Sequence, residues 1–137
     1  MKAHIFEGLD GNGRPEKPRD SGYTMVVDWG LGPHAQLDLL VSGGAYIDFA
    51  KIAVGISRLL PTAILIDKIR TYQNYQIEPF PGGQYFEYAE VHGKADLYIP
   101  AVLDAGYYWI EISDNLGAVT LDWKTKMIRQ SVANHLH

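Results

Sequence analysis

The chain has no cysteine, no long apolar run and no cluster of basic residues among its 137 residues. Without cysteine it can form no disulfide, thiolate nucleophile or cysteine-ligated metal site, and a reducing compartment, the cytoplasm, is expected. No segment approaches the roughly 18 apolar residues of a membrane span, so no membrane partner is expected. A net charge of -4 without a basic patch argues against nucleic acid as a partner.

The composition that is present is typical of one globular domain. Hydrophobic residues make up 47% and charged residues 20% of the chain. Residues 8–22 contain four glycines and two prolines among charged residues, which is typical of a mobile segment. The sequence therefore predicts a flexible N-terminal arm over residues 1–22 and one folded domain over residues 23–137.

Apolar strands and helices alternate along the predicted domain. Strands are predicted at residues 23–28, 46–54, 76–80 and 107–112. Helices are predicted at residues 35–41, 61–74, 84–105 and 123–137, the third interrupted at Gly93 and near Pro100 and ended by Gly106, the fourth capped by Thr120 or Asp122. This alternation predicts an α/β fold of four βα units with parallel strands, and the nearly continuous apolar strands predict cover on both faces.

Charged side chains interrupt these apolar strands. Asp28 ends the first, Lys51 lies within the second, Glu78 within the third and Glu111 near the end of the fourth. A period of two places Phe49 with Lys51 on one face of the second strand. Burying an unpaired lysine is costly, so Lys51 needs a carboxylate, a ligand anion or water beside it. The pattern predicts either a functional site at the carboxyl rim of the strands or a structural ion pair.

Three blocks of sequence resemble one enzyme family. They are the segment at residues 17–56, the PGGQYFE motif at Pro81–Glu87 and IEISDNLGAVTLDWKTKMIR at Ile110–Arg129. Their order and spacing are similar to those of phosphosulfolactate synthases, which add sulfite to phosphoenolpyruvate. That family forms a (β/α)8 barrel, and such barrels are typically about 250 residues long. The resemblance implies a lyase whose barrel is represented here by four of its eight units.

Four parallel strands cannot close a barrel, so the first and last strands would leave open hydrogen-bonding edges. The expected arrangement is therefore a half-barrel that self-associates as a homodimer or a larger homo-oligomer. A small open sheet with helices rearranged over its edges is the alternative.

The resemblance implies a set of site residues for a small-molecule substrate. The predicted catalytic residues are Lys51, Glu111 and Asp28, with Lys51, the only lysine on a predicted strand, as proton donor. The predicted substrate-binding residues include Arg19, Gly82 and Gly83, because backbone N–H groups before a helix and a guanidinium bind anions. Ser113, which falls on a family motif, and the aromatic residues Trp29 and Tyr85 at the mouth complete the predicted set. The predicted cofactor is Mg²⁺, with carboxylate ligands from Glu87, Glu111 and Asp114.

Several positions depart from the family pattern. The family generally has DKGL where this chain has Asp28-Trp29-Gly30-Leu31, and the threonine of PGGT is Gln84. The mouth of the site is therefore more apolar than a doubly anionic substrate favours. Two alternatives follow: a small cyclase or lyase of secondary metabolism with an aromatic pocket, or a non-catalytic assembly or stress module. A cavity with Lys51 and Glu111 on its wall would favour an enzyme.

Overall fold

The computed structural model describes residues 5–6 and 14–137. Its strands are β1 (Met25–Asp28), β2 (Phe49–Ile52) and β3 (Glu78–Pro81). The helices of the described part are α1 (Pro33–Gly43), α2 (Thr62–Asn74), α3 (Gln84–Val91), α4 (Tyr98–Ala105) and α5 (Leu121–Ala133). The α/β class is confirmed, and α5 begins two residues before and ends four residues before the predicted last helix.

The three strands form one parallel sheet in the order β1-β2-β3. Met25 pairs with Phe49 and Phe49 pairs with Glu78, so the strands start level with one another. Their carboxyl ends consequently lie along one edge of the sheet, where chemistry is placed in folds of this connectivity.

Local sequence signals fix the helix ends as predicted. Gly106 has a φ of 90°, the left-handed conformation that ends α4 without steric cost. Thr120 caps α5, its side-chain oxygen accepting a 3.1 Å hydrogen bond from the Trp123 backbone N–H. The predicted interruption at Gly93 separates α3 from α4, whereas Pro100 lies within the first turn of α4, where its missing N–H has no intrahelical partner to lose.

Helices cover one face of the sheet and leave the other open. Ala50 and Ile52 are fully buried beneath the helices, whereas Phe49 and Lys51 on the alternate positions of β2 are only partly buried. The expectation of cover on both faces is therefore wrong for the described part of the chain. On this open sheet face the side chains are largely apolar: Met25, Val27, Phe49, Phe80 and Trp109.

The predicted fourth strand does not form. Residues 107–112 join no strand ladder among the described residues. Their backbone pairs instead with the end of the chain: the Ile110 N–H donates to the His137 carbonyl at 3.1 Å, and the His137 N–H donates to the Tyr108 carbonyl at 3.0 Å. The fold thus has three βα units followed by an extended segment, and the half-barrel stays a prediction.

Proline at the outer edge of β3 explains this difference. The N–H groups of Glu78 and Gly82 point towards β2, where they donate to the carbonyls of Asp48 and Ile52 at 2.9 Å. Alternate residues point the other way, and both of these, Pro79 and Pro81, lack an N–H. The outer edge of β3 therefore offers carbonyl acceptors without donors, which weakens pairing with a fourth strand.

The predicted flexible arm is only partly described, because residues 1–4 and 7–13 lie outside the described residues. Within residues 14–22, the Arg14 guanidinium donates to the Gly22 carbonyl at 2.8 Å. The Lys17 ammonium donates to the carbonyls of Gly44 and Tyr75 at 2.7 and 3.1 Å. The flexibility of the arm stays a prediction. No helix in the described ranges has the length and apolar character needed to cross a membrane.

Candidate active site

Lys51, Glu111 and Gly83 meet at the carboxyl edge of the sheet. The Lys51 ammonium lies 2.8 and 2.7 Å from the two carboxylate oxygens of Glu111. The second of these oxygens also accepts a 2.5 Å hydrogen bond from the Gly83 backbone N–H, next to the first turn of α3. The Lys51 and Glu111 side chains keep 20% and 29% exposure, so solvent or a ligand can reach the pair. Of the three carboxylates considered as partners of Lys51, Glu111 is the one in contact.

This arrangement resembles an occupied anion site. A helix N-terminus carries partial positive charge, and here that charge, a backbone N–H and an ammonium group surround one carboxylate. The two glycine N–H groups predicted to bind a substrate anion already have partners: Gly82 donates to the Ile52 carbonyl at 2.9 Å and Gly83 to Glu111. A substrate anion would therefore bind beside the Glu111 carboxylate or displace it.

The absence of a side chain at Gly83 permits the close approach of the extended segment. A Cβ atom at Gly83 would lie 2.5 Å from the Ser113 hydroxyl oxygen and 2.9 Å from the Glu111 carbonyl oxygen. The φ of Gly83 is -64°, which any residue adopts, so the requirement for glycine is the space and not the backbone conformation.

We expect Gly83→Ala to destabilise the protein and to separate Glu111 from the helix N-terminus. Forcing a methyl group against a backbone carbonyl typically costs about 1–3 kcal/mol of unfolding free energy. Gly43→Ala is the matched control, because a Cβ there would meet nothing within 4 Å. Urea unfolding of both variants measures the difference, and equal stabilities would contradict the packing role of Gly83.

Asp28 does not join this site. It lies on the helix-covered face of the sheet and is 1% exposed. One carboxylate oxygen accepts from the N–H groups of Gly30 and Leu31 at 2.8 and 2.7 Å. The other accepts from the Lys68 ammonium at 2.5 Å and the Tyr72 hydroxyl at 2.8 Å. Asp28 therefore joins the β1–α1 loop to α2, and it does not face Lys51, because the two side chains leave opposite faces of the sheet.

These contacts set the charge of Asp28. Burial alone would raise the pKa of this carboxyl, but the hydrogen bonds from Lys68, Leu31 and Tyr72 and the charge of Lys68 hold it below its ordinary value. Burial and the neighbouring carboxylate raise the pKa of the Tyr72 hydroxyl. Asp28 is thus an ionised structural group with a buried cation beside it.

Glu87 is fully buried and anchors the segment that follows Glu111. Its carboxylate accepts hydrogen bonds from the Ser113 hydroxyl, from the Asn115 N–H at 3.0 Å and from the Leu116 N–H at 2.7 Å. The predicted substrate-binding residue Ser113 is thus engaged with the predicted metal ligand Glu87. Both side chains shape the loop that carries Glu111.

The three predicted metal ligands point to different partners. Glu87 holds the loop, Glu111 pairs with Lys51, and Asp114 forms an exposed ion pair with Lys124. No group of three His, Cys, Asp or Glu side chains suited to a metal occurs within residues 5–6 and 14–137. The carboxylates of this part of the chain therefore do not fit a Mg²⁺ site by themselves.

Arg19 lies at the opposite end of the sheet from Lys51. Its guanidinium donates to Asp48, just before β2, at 2.6 Å and to the Ala45 carbonyl at 2.7 Å. The second oxygen of Asp48 accepts from Arg14 at 2.7 Å. Burial would raise the pKa of Asp48, but the Thr24 N–H and the two guanidinium groups hold it below its usual value. The prediction that Arg19 binds a substrate anion at the carboxyl rim is wrong, because Arg19 lies at the amino end of the sheet and is paired with Asp48.

The predicted aromatic residues are dispersed. Trp29 follows β1 and is 68% exposed. Tyr85 instead lines a cavity of about 420 Å³ between α2, α3 and α4, and Tyr88 lines the same cavity. Trp109 packs edge-on against Phe49 on the open sheet face, with ring centroids 5.0 Å apart.

Sequence interpretation missed the buried cation Lys68. Leu65, Lys68, Ile69 and Tyr72 follow the i, i+3, i+4, i+7 spacing of one helix face, so a lysine lies within an apolar stripe. A buried lysine requires a partner, and the strand-end carboxylate Asp28 was available. That position on α2 was the signal that could have identified the pair.

Comparison with known proteins supports a single family. A model of the family described as (2R)-phospho-3-sulfolactate synthase (ComA) matches residues 12–137. Phosphosulfolactate synthase from Methanothermobacter thermautotrophicus is 33% identical over 119 residues, which are 87% of this chain and 46% of that protein. The Methanocaldococcus jannaschii enzyme of the same name is 34% identical over 113 residues, 82% of this chain and 45% of that protein. The Bacillus subtilis enzyme is 33% identical over 101 residues, 74% of this chain and 39% of that protein. The chain thus spans about half the length or less of these curated relatives.

Proposed function

We propose, because this chain belongs to the phosphosulfolactate synthase family, that Lys51 and Glu111 form part of a site that adds sulfite to phosphoenolpyruvate or a similar enol. The contact of both carboxylate oxygens of Glu111 with the Lys51 ammonium, next to the Gly83 N–H, supports this proposal. These groups lie at the carboxyl edge of a parallel sheet, where barrels of this connectivity carry their catalytic residues. The site is partly exposed, so a small anion can approach it.

The proposed reaction needs one proton from the protein. Sulfite forms a carbon–sulfur bond to the methylene carbon, and the electron pair of the double bond moves to the carbon that bears the phosphate and the carboxylate. The Lys51 ammonium then donates its proton to that carbon and regains one from solvent. Before this step, the ammonium attracts the substrate carboxylate or phosphate, which binds beside the Glu111 carboxylate. Glu111 holds the ammonium in place.

A second copy of the chain is proposed to complete the site. The open sheet face leaves Met25 and Val27 exposed by 52% and 44%, and Lys51 projects from the same face. Large exposed apolar surfaces mark interaction sites. The proposed assembly is a homodimer in which each copy covers the open sheet face of the other.

We expect Val27→Glu to prevent this association. Val27 lies on the open sheet face, and a carboxylate there would have to be desolvated against the other copy; its strand neighbour Lys51, already paired with Glu111, does not offset that cost. Val132→Glu is the matched control, because Val132 is 64% exposed on α5, away from the sheet. Light scattering across a concentration series should give a dimer for the wild-type chain and for Val132→Glu. Val27→Glu should remain a monomer with an unchanged circular dichroism spectrum.

A wild-type chain that remains monomeric at all concentrations would exclude the second copy as the partner. Association that Val27→Glu leaves unchanged would place the interface elsewhere on the molecule.

The non-catalytic alternative has one observation in its favour. Three cavities in the described part of the chain have neither Lys51 nor Glu111 among their lining residues. The aromatic cyclase alternative is less favoured, because the cavity that holds Tyr85 and Tyr88 has no carboxylate among its lining residues in the described ranges. Phosphorus NMR of phosphoenolpyruvate incubated with the protein, with and without sulfite, distinguishes the lyase from the non-catalytic module. A new phosphate ester signal that requires sulfite supports the lyase, and its absence from the assembled protein supports the module.

A further inference from the structure

The cavity between α2, α3 and α4 is a second concave site, separate from Lys51 and Glu111. Its volume of about 420 Å³ lies within the range of small-molecule sites. Leu65 and Val102 form an apolar part of its wall. Four tyrosines also line the cavity: Tyr85, Tyr88, Tyr98 and Tyr107. Such a cavity suits a planar aromatic molecule that stacks on tyrosine rings.

The tyrosine wall is ordered by ring stacking. Tyr85 and Tyr88 are stacked, with centroids 6.2 Å apart and an interplanar angle of 24°. Tyr88 also stacks on His92 at 4.0 Å, and Tyr85 meets Tyr98 edge-on at 5.6 Å. Rings held in this way are already ordered, so these side chains lose little further conformational freedom when a ligand binds against them.

One rim of the cavity is positively charged. The Arg58 guanidinium lies 5.9 and 5.7 Å from the ring centres of Tyr85 and Tyr88. Lys94 also lines the cavity, and no lining residue within the described ranges is a carboxylate. No hydrogen bond or ion pair of the Arg58 side chain is found among the described residues, so its donors face solvent. A guanidinium beside aromatic rings is well placed to receive a planar carboxylate through two parallel hydrogen bonds.

A buried polar group on the wall also lacks a partner. The Tyr98 hydroxyl is buried and has no hydrogen-bond partner in the described part of the chain. Burial raises the pKa of Tyr98, as do the neighbouring tyrosines and Glu111, so the group stays a neutral donor. Leaving such a donor unpaired is costly, but the hydroxyl itself is closed off from the cavity, so the charge recognition rests on Arg58.

We infer that this cavity binds a planar aromatic carboxylate, with its rings against Tyr85 and Tyr88 and its carboxylate on Arg58. The site lies among the helices that cover the sheet, and neither Lys51 nor Glu111 lines it. Binding there does not depend on whether the rim site adds sulfite to an enol.

The inference is tested with 2-naphthoate and its uncharged analogue 2-naphthamide. Both are followed by backbone amide shifts in NMR titrations of the full chain. We expect the carboxylate to bind about tenfold or more tightly than the amide, since a charge-assisted hydrogen bond is worth at least about that factor. The shifts should fall on residues 85–92 and 97–105 and spare β1.

Two arginine variants test whether Arg58 is the residue that binds the ligand carboxylate. Arg58→Gln should remove the preference for the carboxylate, whereas Arg70→Gln, an exposed arginine of α2 outside the cavity, should retain it. Lys51→Met should bind 2-naphthoate as the wild-type chain does, which separates this site from the proposed lyase site. Equal binding of acid and amide, shifts confined to β1, or no shift at about 1 mM ligand would each overturn the inference.

Discussion

Lys51→Met is expected to lower sulfite-dependent turnover of phosphoenolpyruvate by about 100-fold or more, the usual contribution of a general acid. Methionine has a similar length but carries neither charge nor proton, so both the anion attraction and the proton donor are lost. The fold should survive, because a partly exposed ion pair contributes only about 0–1 kcal/mol. Phosphorus NMR measures turnover, and thermal unfolding measures stability.

Two further variants distinguish proton donation from charge alone. Lys51→Arg keeps a cation next to Glu111 but holds its proton too tightly to donate it, so it should also be inactive. Lys126→Met, on the exposed side of α5, should be fully active. If Lys51→Met keeps its turnover and mainly lowers the melting temperature, Lys51 is a structural half of an ion pair and not the acid.

Lys68→Met is expected to cost about 3–5 kcal/mol of unfolding free energy at neutral pH, because it leaves the Asp28 carboxylate buried without its cation. The Lys68 and Asp28 side chains are only 3% and 0% exposed. Lys124→Met, which breaks the exposed pair with Asp114, is the matched control and should cost about 0–1 kcal/mol. Urea unfolding compares the two variants.

Acid should diminish the difference between the wild-type chain and Lys68→Met. The folded-state pKa of Asp28 lies below 3.8, so the stability it contributes is present above about pH 4 and is lost as the pH falls through the folded-state pKa. Without Lys68 the carboxyl protonates more readily, and the penalty falls. The double variant Asp28→Asn with Lys68→Met should recover part of the loss. Equal stabilities of Lys68→Met and Lys124→Met would contradict a buried, uncompensated charge.

The Lys51–Glu111 contact could be predicted from the sequence. An alternating pattern separated Phe49 and Lys51 from Ala50 and Ile52, and strand ends of a parallel sheet share one edge. A lysine on such a strand requires an anion, and Glu111 was one of three candidates. The family resemblance placed both residues in motifs, Lys51 in the block at residues 17–56 and Glu111 in EISD, and the matching family model bears out that resemblance.

The face of the sheet from which the Asp28 side chain projects could not be predicted from the sequence. The strand MVVD has apolar residues at three consecutive positions, so its pattern does not reveal which face the aspartate takes. Tertiary context decides it, because Lys68 and Tyr72 of α2 lie on the helix-covered face.

The missing fourth strand follows from a neighbour rather than from its own sequence. Residues 107–112 have strand composition, but the edge they would join lacks two N–H donors at Pro79 and Pro81. The composition of residues 107–112 does not show whether the edge of β3 can pair with them. Arg19 was misplaced for a related reason, since its partner Asp48 lies 29 residues away in sequence.

The dependence of specific activity on protein concentration tests the central claim most directly. If Lys51 and Glu111 form half of a site that a second copy completes, product formed per chain should rise with concentration and level off where light scattering gives a dimer. A specific activity that is the same in dilute monomer and in concentrated protein, or no sulfite-dependent product from the dimer, would contradict the claim.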